Sequence, residues 1–440
     1  MRTMIRSGML LSAGLALSMS ACHIGGGFTV GGKVTGLRGS GLVLQNNSGN
    51  NLSISSDGSF TFTSGIDEGG AFSVTVATQP SNPTQTCTVH NGSGTIGTAD
   101  IASVIVSCSQ AGRYAYVPNE TSNTINAYAI NASTGLLTPI ASYASTGTTP
   151  VAAAVDPDGT YLYVANNGSN TVSVYAIDDS TGALSSTGEP VGTGSGPFAV
   201  LIDPANQFLY IANKSDDTVS VYSISSGQLT EISGSPFAVG DEPTSLKTDP
   251  GGNFLYVTDY AANAVAVFSI EPGGGAITGI GGSPFGAGAG ALSIAIDPTG
   301  TFAYVANETG QSVSMYSLNP DTGALAALSG SPLSTGASAE SVAVDPAGRF
   351  LLVANVTAGN DLSSYAITPS SGALTLASTA GAGDFPLSVV IDPAGTFAYV
   401  ANQNSNTVSV YAIDSTTGAL AQVGGSPFAA GVNPRTVAID

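Results

Sequence analysis

The sequence predicts an all-β protein: a seven-bladed β-propeller preceded by a small β-sandwich domain and a signal peptide. Three observations predict it. The 440 residues include 57 glycines but only 9 Lys+Arg, a composition poor in helix formers and suited to short strands joined by tight turns. One apolar strand recurs seven times at nearly constant spacing. The strand that closes each repeat is missing where the array begins and present where it ends.

The recurring strand reads YAYVPN (114–119), YLYVAN (161–166), FLYIAN (208–213), FLYVTD (254–259), FAYVAN (302–307), FLLVAN (350–355) and FAYVAN (397–402), so successive units lie 47, 47, 46, 48, 48 and 47 residues apart. A second strand follows, as in Thr171–Ile177 and Thr407–Ile413, and then a turn of the form Ser180-Thr-Gly-Ala-Leu184. A third, weaker strand leads to a loop that reads Gly-Ser-Pro-Phe at 234–237, 282–285 and 425–428. The last strand is short and apolar and ends in Asp-Pro, as in Val151–Asp156 and Phe198–Asp203. Proline fixes φ there, and the aspartate accepts from the amides that follow. Four strands in about 47 residues is the pattern of a propeller blade. The first unit begins at Arg113 without its Asp-ended strand, and residues 434–440 supply that strand. Seven blades and a closed ring follow, which removes exposed sheet edges.

Residues 28–110 alternate apolar and polar over 28–30, 42–44, 52–54, 60–62, 72–76 and 104–106, with turn signals at Asp57-Gly58 and Asn91-Gly92 between them. These short strands predict the β-sandwich. Cys87 and Cys108 form an even pair and predict a disulfide.

Residues 1–22 pair Arg2 and Arg6 with an apolar run from Met9 to Met19, too short to cross a bilayer as a mature helix. The closing Met19-Ser20-Ala21-Cys22 resembles the lipobox of bacterial lipoproteins, which implies lipidation of Cys22 and, with His23 rather than Asp following, passage to the outer membrane. Ordinary signal cleavage nearby is the alternative. Both export the chain. Gly25-Gly26-Gly27 within 23–27 reads as a flexible tether.

The formal net charge is −20, and loss of Arg2 and Arg6 leaves 7 basic against 29 acidic residues, near −22. Such a field repels nucleic acid, anionic lipid surfaces and anionic substrates.

The repeats of 113–440 resemble the YVTN-type repeats of bacterial surface proteins and the seven-bladed lactonase family, which includes a class of 6-phosphogluconolactonase. The matching residues are strand and turn positions. The resemblance implies the propeller fold and a site at the channel, where the family uses a His with Arg and Glu side chains. Residues 113–440 contain no histidine, since His23 and His90 lie upstream, and the five cations there are Arg113, Lys214, Lys247, Arg349 and Arg435. A sugar-phosphate substrate therefore does not fit.

The Asp-ended strands are expected to be innermost. Counting back four from each Asp gives Ala152, Ala199, Ser245, Ser293, Ser341, Ser388 and Thr436, a ring of small residues read as packing. Counting back five gives Val151, Phe198, Thr244, Leu292, Glu340, Leu387 and Arg435, in which Glu340 and Arg435 are the only charges. Lys247 is the other lone inner-strand charge. These three are the candidate channel-mouth residues, against the alternative that they are solvated or mutually paired. Recurrent tyrosines at 116, 163, 210, 256, 304 and 399 read as inward strand positions, and Phe237, Phe285 and Phe428 as packing between blades. Asp178-Asp179 and Asp216-Asp217 could hold Ca²⁺ through oxygen ligands, but lack EF-hand spacing and read as solvated loops; no metal and no cofactor is expected. The leading functional expectation is a monomeric, lipid-anchored cell-envelope propeller that binds an envelope protein or a small neutral ligand. The alternative is a hydrolase of a neutral lactone at the channel mouth, resting on Glu340 and Arg435.

Overall fold

The computed structural model describes residues 27–37, 39–81, 85–109, 113–144, 147–356 and 359–440. The expected signal peptide 1–22 with Cys22, and the expected tether up to residue 26, lie outside the described residues. Among the described residues the regular structure is entirely β.

Residues 27–109 form two four-stranded sheets. One runs Gly58–Thr61, Val30–Thr35, Ile101–Ser109, Thr86–His90; the other runs Asn50–Ile54, Leu42–Asn46, Ala71–Thr78, Ser93–Thr95. Alternate residues turn inward, so Val30, Val34, Leu42, Leu44, Phe62 and Val104 share one apolar core. The Cys87–Cys108 disulfide joins two residues directly opposite each other on antiparallel strands. Two strands escaped the sequence pattern, Thr86–His90 and Ser93–Thr95. Ser93–Thr95 is wholly exposed and held only by edge pairing to Ala71–Ser73, so no apolar alternation marks it.

Seven further sheets form the propeller. Blade 1 is Tyr114–Ala144, and blades 2 to 7 begin at Pro150, Pro197, Pro243, Ala291, Ser338 and Pro386. In blades 2 to 7 the Asp-ended strand is innermost and pairs with the YVAN strand, which pairs with the strand that follows it in sequence, third from the axis. The YVAN strand is buried on both faces in nearly every blade because neighbouring blades cover it; this is why it reads as a continuous apolar run rather than an alternation. The Tyr116, Tyr210, Tyr304 and Tyr399 hydroxyls each donate to a glycine carbonyl, at 182, 275, 372 and 135, in the turn of a neighbouring blade.

The outer edge differs from the expected strand and loop. In blades 2, 3, 4, 5 and 7 it breaks into two short strands that both pair with the third strand, as Leu184–Ser186 and Val191–Gly192 do with Thr171–Ile177. Where the break carries Ser-Pro, the serine hydroxyl accepts a third-strand amide, as Ser235 does from Val221 at 2.9 Å and Ser283 from Val267 at 2.8 Å. The following Phe237 and Phe285 return as strand residues and pack against neighbouring apolar groups.

Closure occurs as the repeat pattern requires. Ala438 and Ile439 pair with Tyr116 and Ala115, and Pro434 bridges Asn119. In blades 2 to 7 one carboxylate oxygen of the terminal aspartate accepts the amides four and five residues on; Asp156 takes those of Thr160 and Tyr161 at 2.6 and 2.9 Å. Asp440 takes the same pair from the other end of the array, Arg113 and Tyr114, at 2.6 and 2.8 Å. Its second oxygen lies 3.2 Å from the Arg113 guanidinium.

The small domain rests on the Asp-Pro end of the propeller. Lys33 Nζ donates to the Gly251 carbonyl at 2.9 Å, beside a cleft of about 750 Å³ between the two parts. The opposite end of the channel is left open.

Candidate active site at the channel mouth

At that open end the first halves of the inner strands surround a cavity of about 550 Å³. The seven ring residues found by counting back five from each aspartate all line it, Glu340 and Arg435 included. Lys247 lines it deeper in the channel, where its side chain meets water yet is ringed by protein; that encirclement lowers its pKa.

Glu340 is 7% exposed, and no described residue donates a hydrogen bond or ion pair to its carboxylate. Burial first, and the negative charge of Glu308 second, push its pKa up to about 7, against an opposing pull from Arg435. The Arg435 Nε lies 3.6 Å from Glu120 Oε2, which also accepts from Gln403 Nε2 at 3.2 Å. Its guanidinium sits 5.3 Å from the centre of the Phe198 ring.

Four polar residues of the site were not read from the sequence. Lys214, Tyr260 and Glu308 line the cavity, and Glu120 braces Arg435. Tyr260 donates to Glu308 Oε2 at 2.6 Å. Lys214 Nζ is 3.3 Å from Glu242 Oε2 and stands over both Phe198 and Tyr260, at 5.3 and 4.9 Å. All four occupy one repeat position, the residue immediately after the last residue of the YVAN strand. Aligning the repeats would have shown a column of Glu120, Asn167, Lys214, Tyr260, Glu308, Val356 and Gln403, polar in six of seven units and variable beside a near-constant strand.

The small-residue ring does more than fill space. Ser245, Ser293 and Ser341 accept the inner-strand amides of the next blade, Ile294, Val342 and Val389, at 3.4, 3.3 and 3.2 Å. Ala152 and Ala199 offer no such acceptor. The acidic pairs serve turns: Asp178 accepts from Ser180 and Thr181, Asp179 pairs with Arg113, Asp216 accepts from Ser195, and Asp217 from Glu242. Among the described residues no group of His, Cys, Asp and Glu is arranged to hold a metal.

One repeat departs at the rim. Where six blades place asparagine at the end of the YVAN strand, blade 4 places Asp259. Asn166 Nδ2 donates to Thr171 and Ser173, at 3.2 and 2.8 Å, but the matching residues in blade 4 are Ala264 and Ala266. Asp259 is 1% exposed with one carboxylate oxygen unpaired, and burial, followed by Asp241 and Asp217, pushes its pKa up to about 7.

The mouth thus brings a buried carboxyl with a raised pKa and a braced guanidinium to one cavity. A carboxylate with such a pKa suits proton transfer from water, and a fixed cation suits an oxygen that gains negative charge.

The family described as lactonase, 7-bladed beta-propeller, matches the chain over residues 66–201, 192–284 and 283–433. Among solved structures, a Bacteroides uniformis protein provisionally described as a 6-phosphogluconolactonase is 22% identical, with TM-score 0.68 over 75% of this chain and 100% of that one. The periplasmic gluconolactonase of Pseudomonas aeruginosa is 22% identical, with TM-score 0.65 over 74% of this chain and 98% of its own. A Lactobacillus plantarum protein is 23% identical, with TM-score 0.66 over 75% of this chain and 100% of that one. No curated protein matches the chain.

Proposed function

Since the chain belongs to the seven-bladed β-propeller lactonase family, we propose that it hydrolyses a neutral lactone at the channel mouth. One observation carries the reading: Glu340 and Arg435 line a single cavity. In the proposed reaction the Glu340 carboxylate takes a proton from water as the water oxygen adds to the lactone carbonyl. Arg435 stabilises the oxyanion. The ring C–O bond then breaks, and the leaving alkoxide recovers the proton from Glu340. Neutrality of the substrate follows from charge: Lys214 and Arg435 are already paired with Glu242 and Glu120, and the chain carries a formal −20. Of the three cations in the cavity, Lys247 alone has no acidic partner among the described residues.

This reading has more support than that of a scaffold surface, because family membership and convergent acid–base groups point the same way. Purified protein assayed on a panel of neutral lactones tests it. Turnover that Glu340→Gln lowers at least 100-fold supports it, and inertness across the panel overturns it.

Export with a lipid on Cys22 belongs to the same proposal. Metabolic labelling with a radioactive fatty acid checks it, with label expected in the natural chain and lost in Cys22→Ser.

A further inference from the structure

Six of the seven inner strands are entered through a residue in the left-handed region, two positions before the mouth ring: Thr149, Gly196, Glu242, Gly290, Phe385 and Asn433, with φ of 53, 66, 53, 70, 61 and 58°. The amide of each is held by a side chain from a left-handed turn residue of the preceding blade; Gly290 donates to Asn263 Oδ1 at 2.6 Å and Asn433 to Asn406 Oδ1 at 2.8 Å. Glycine and asparagine accept this conformation readily, whereas the β-branched Thr149 and the bulky Phe385 do so only against a steric cost. Phe385 is the one aromatic in the set, and its amide makes the longest of these bonds, 3.4 Å to Asn360 Oδ1. Of Thr149 and Phe385, only Phe385 lines the mouth cavity.

The lining of the cavity combines polar and apolar residues. Glu340, Arg435, Lys247, Tyr260 and Glu308 supply polar groups, while Leu292, Phe385 and Leu387 supply apolar surface and the Phe198 ring lies under the Arg435 and Lys214 cations. Three of the polar groups already have partners, Tyr260 in Glu308, Arg435 in Glu120 and Lys214 in Glu242, whereas no described residue pairs with the Glu340 or Lys247 side chain. A substrate that covers the apolar residues gains by burial.

We propose that the mouth selects lactones bearing an apolar alkyl or aryl substituent, and that Phe385 sets this selectivity. The proposal rests on the hydrolase reading, and the experiment separates the two. The natural protein and Phe385→Asn are assayed on γ-butyrolactone, on γ-lactones with alkyl chains of increasing length, and on glucono-δ-lactone. An alkyl-substituted γ-lactam, a ring of the same shape that resists opening, is titrated calorimetrically. For the natural protein kcat/KM is expected to rise at least tenfold from γ-butyrolactone to the pentyl-substituted ring. Phe385→Asn is expected to remove most of that ratio through KM, without lowering the melting temperature, since Asn433 holds the same conformation in the closing segment. Phe385→Gly serves the same arm should the asparagine variant misfold. Glucono-δ-lactone opened as fast as the pentyl lactone, or a preference kept in Phe385→Asn, overturns the selectivity and leaves the hydrolase reading standing. Lactam binding that weakens in Phe385→Asn, with no lactone opened, supports the selectivity and overturns the hydrolase reading. Neither binding nor turnover overturns both.

Discussion

The two ends of the propeller are built from the same strands, yet they follow opposite rules. At the Asp-Pro end each blade repeats one arrangement: an aspartate oxygen accepts two successive amides at the start of the YVAN strand, from Asp156 to Asp392, and Asp440 completes the set with amides from Arg113 and Tyr114. At the mouth end the equivalent positions diverge, so that Val151, Phe198, Thr244, Leu292, Glu340, Leu387 and Arg435 fill one ring. Repetition fixes the frame, and departures from it supply the chemistry. Substitutions at the Asp-Pro end should therefore change stability alike in every blade, while those at the mouth should change turnover and differ blade by blade.

The largest effect belongs to the closing segment. Removal of residues 434–440 takes away the innermost strand of blade 1 and both Asp440 acceptor bonds, and thermal unfolding should lose its single sharp transition. Asp440→Ala alone should cost about 3 kcal/mol, because two buried amides and Arg113 lose a charged partner. Asp297→Ala, with the same pair of amides in blade 5, should cost a similar amount; a large inequality would break the equivalence of the frame.

Next comes the ionisation of Glu340. With its pKa near 7, activity that needs the carboxylate should rise as pH passes through about 7. Stability should run the other way: a raised carboxyl pKa favours the folded state below the ordinary glutamate range, and that advantage is lost as pH rises through about 7. Glu340→Gln should thus lose turnover while melting higher than the natural protein at pH above about 8, a pairing that a merely structural residue would not show.

Asp259 sharpens the comparison from the rim. Its pKa of about 7 likewise means that stability present at low pH is lost as pH rises through that value. Asp259→Asn should stabilise the protein by about 3 kcal/mol at high pH and by far less near pH 4, read from denaturant midpoints. The smallest effect is that of the stitching serines. Ser293→Ala should cost about 1 kcal/mol through the unpaired Val342 amide, whereas Ala152 and Ala199 show that two blades do without it.

The sequence made the frame legible because its signals are local and repeated. Spacing gave the blades, the Asp-Pro turns gave the inner strands, and a count of five back from each aspartate reached Glu340 and Arg435. The residues it did not reveal act across blades. Lys214, Tyr260 and Glu308 lie on three different blades and meet only once the ring has formed. The serines at 245, 293 and 341 are small enough to pass for filler, and only the next blade's amide shows their use. Phe385 looks like an ordinary apolar residue in the sequence; its left-handed backbone is what sets it apart.

Asp440 borrows from Arg113 and Tyr114 the same two amides that every other blade takes from within itself, so the ring has no privileged starting point. A circularly permuted propeller, with residue 440 joined to 113 through a short linker and new termini opened in the Gly273–Gly275 turn, should assemble the same seven sheets, freeing the mouth and its ligands to be studied apart from the small domain.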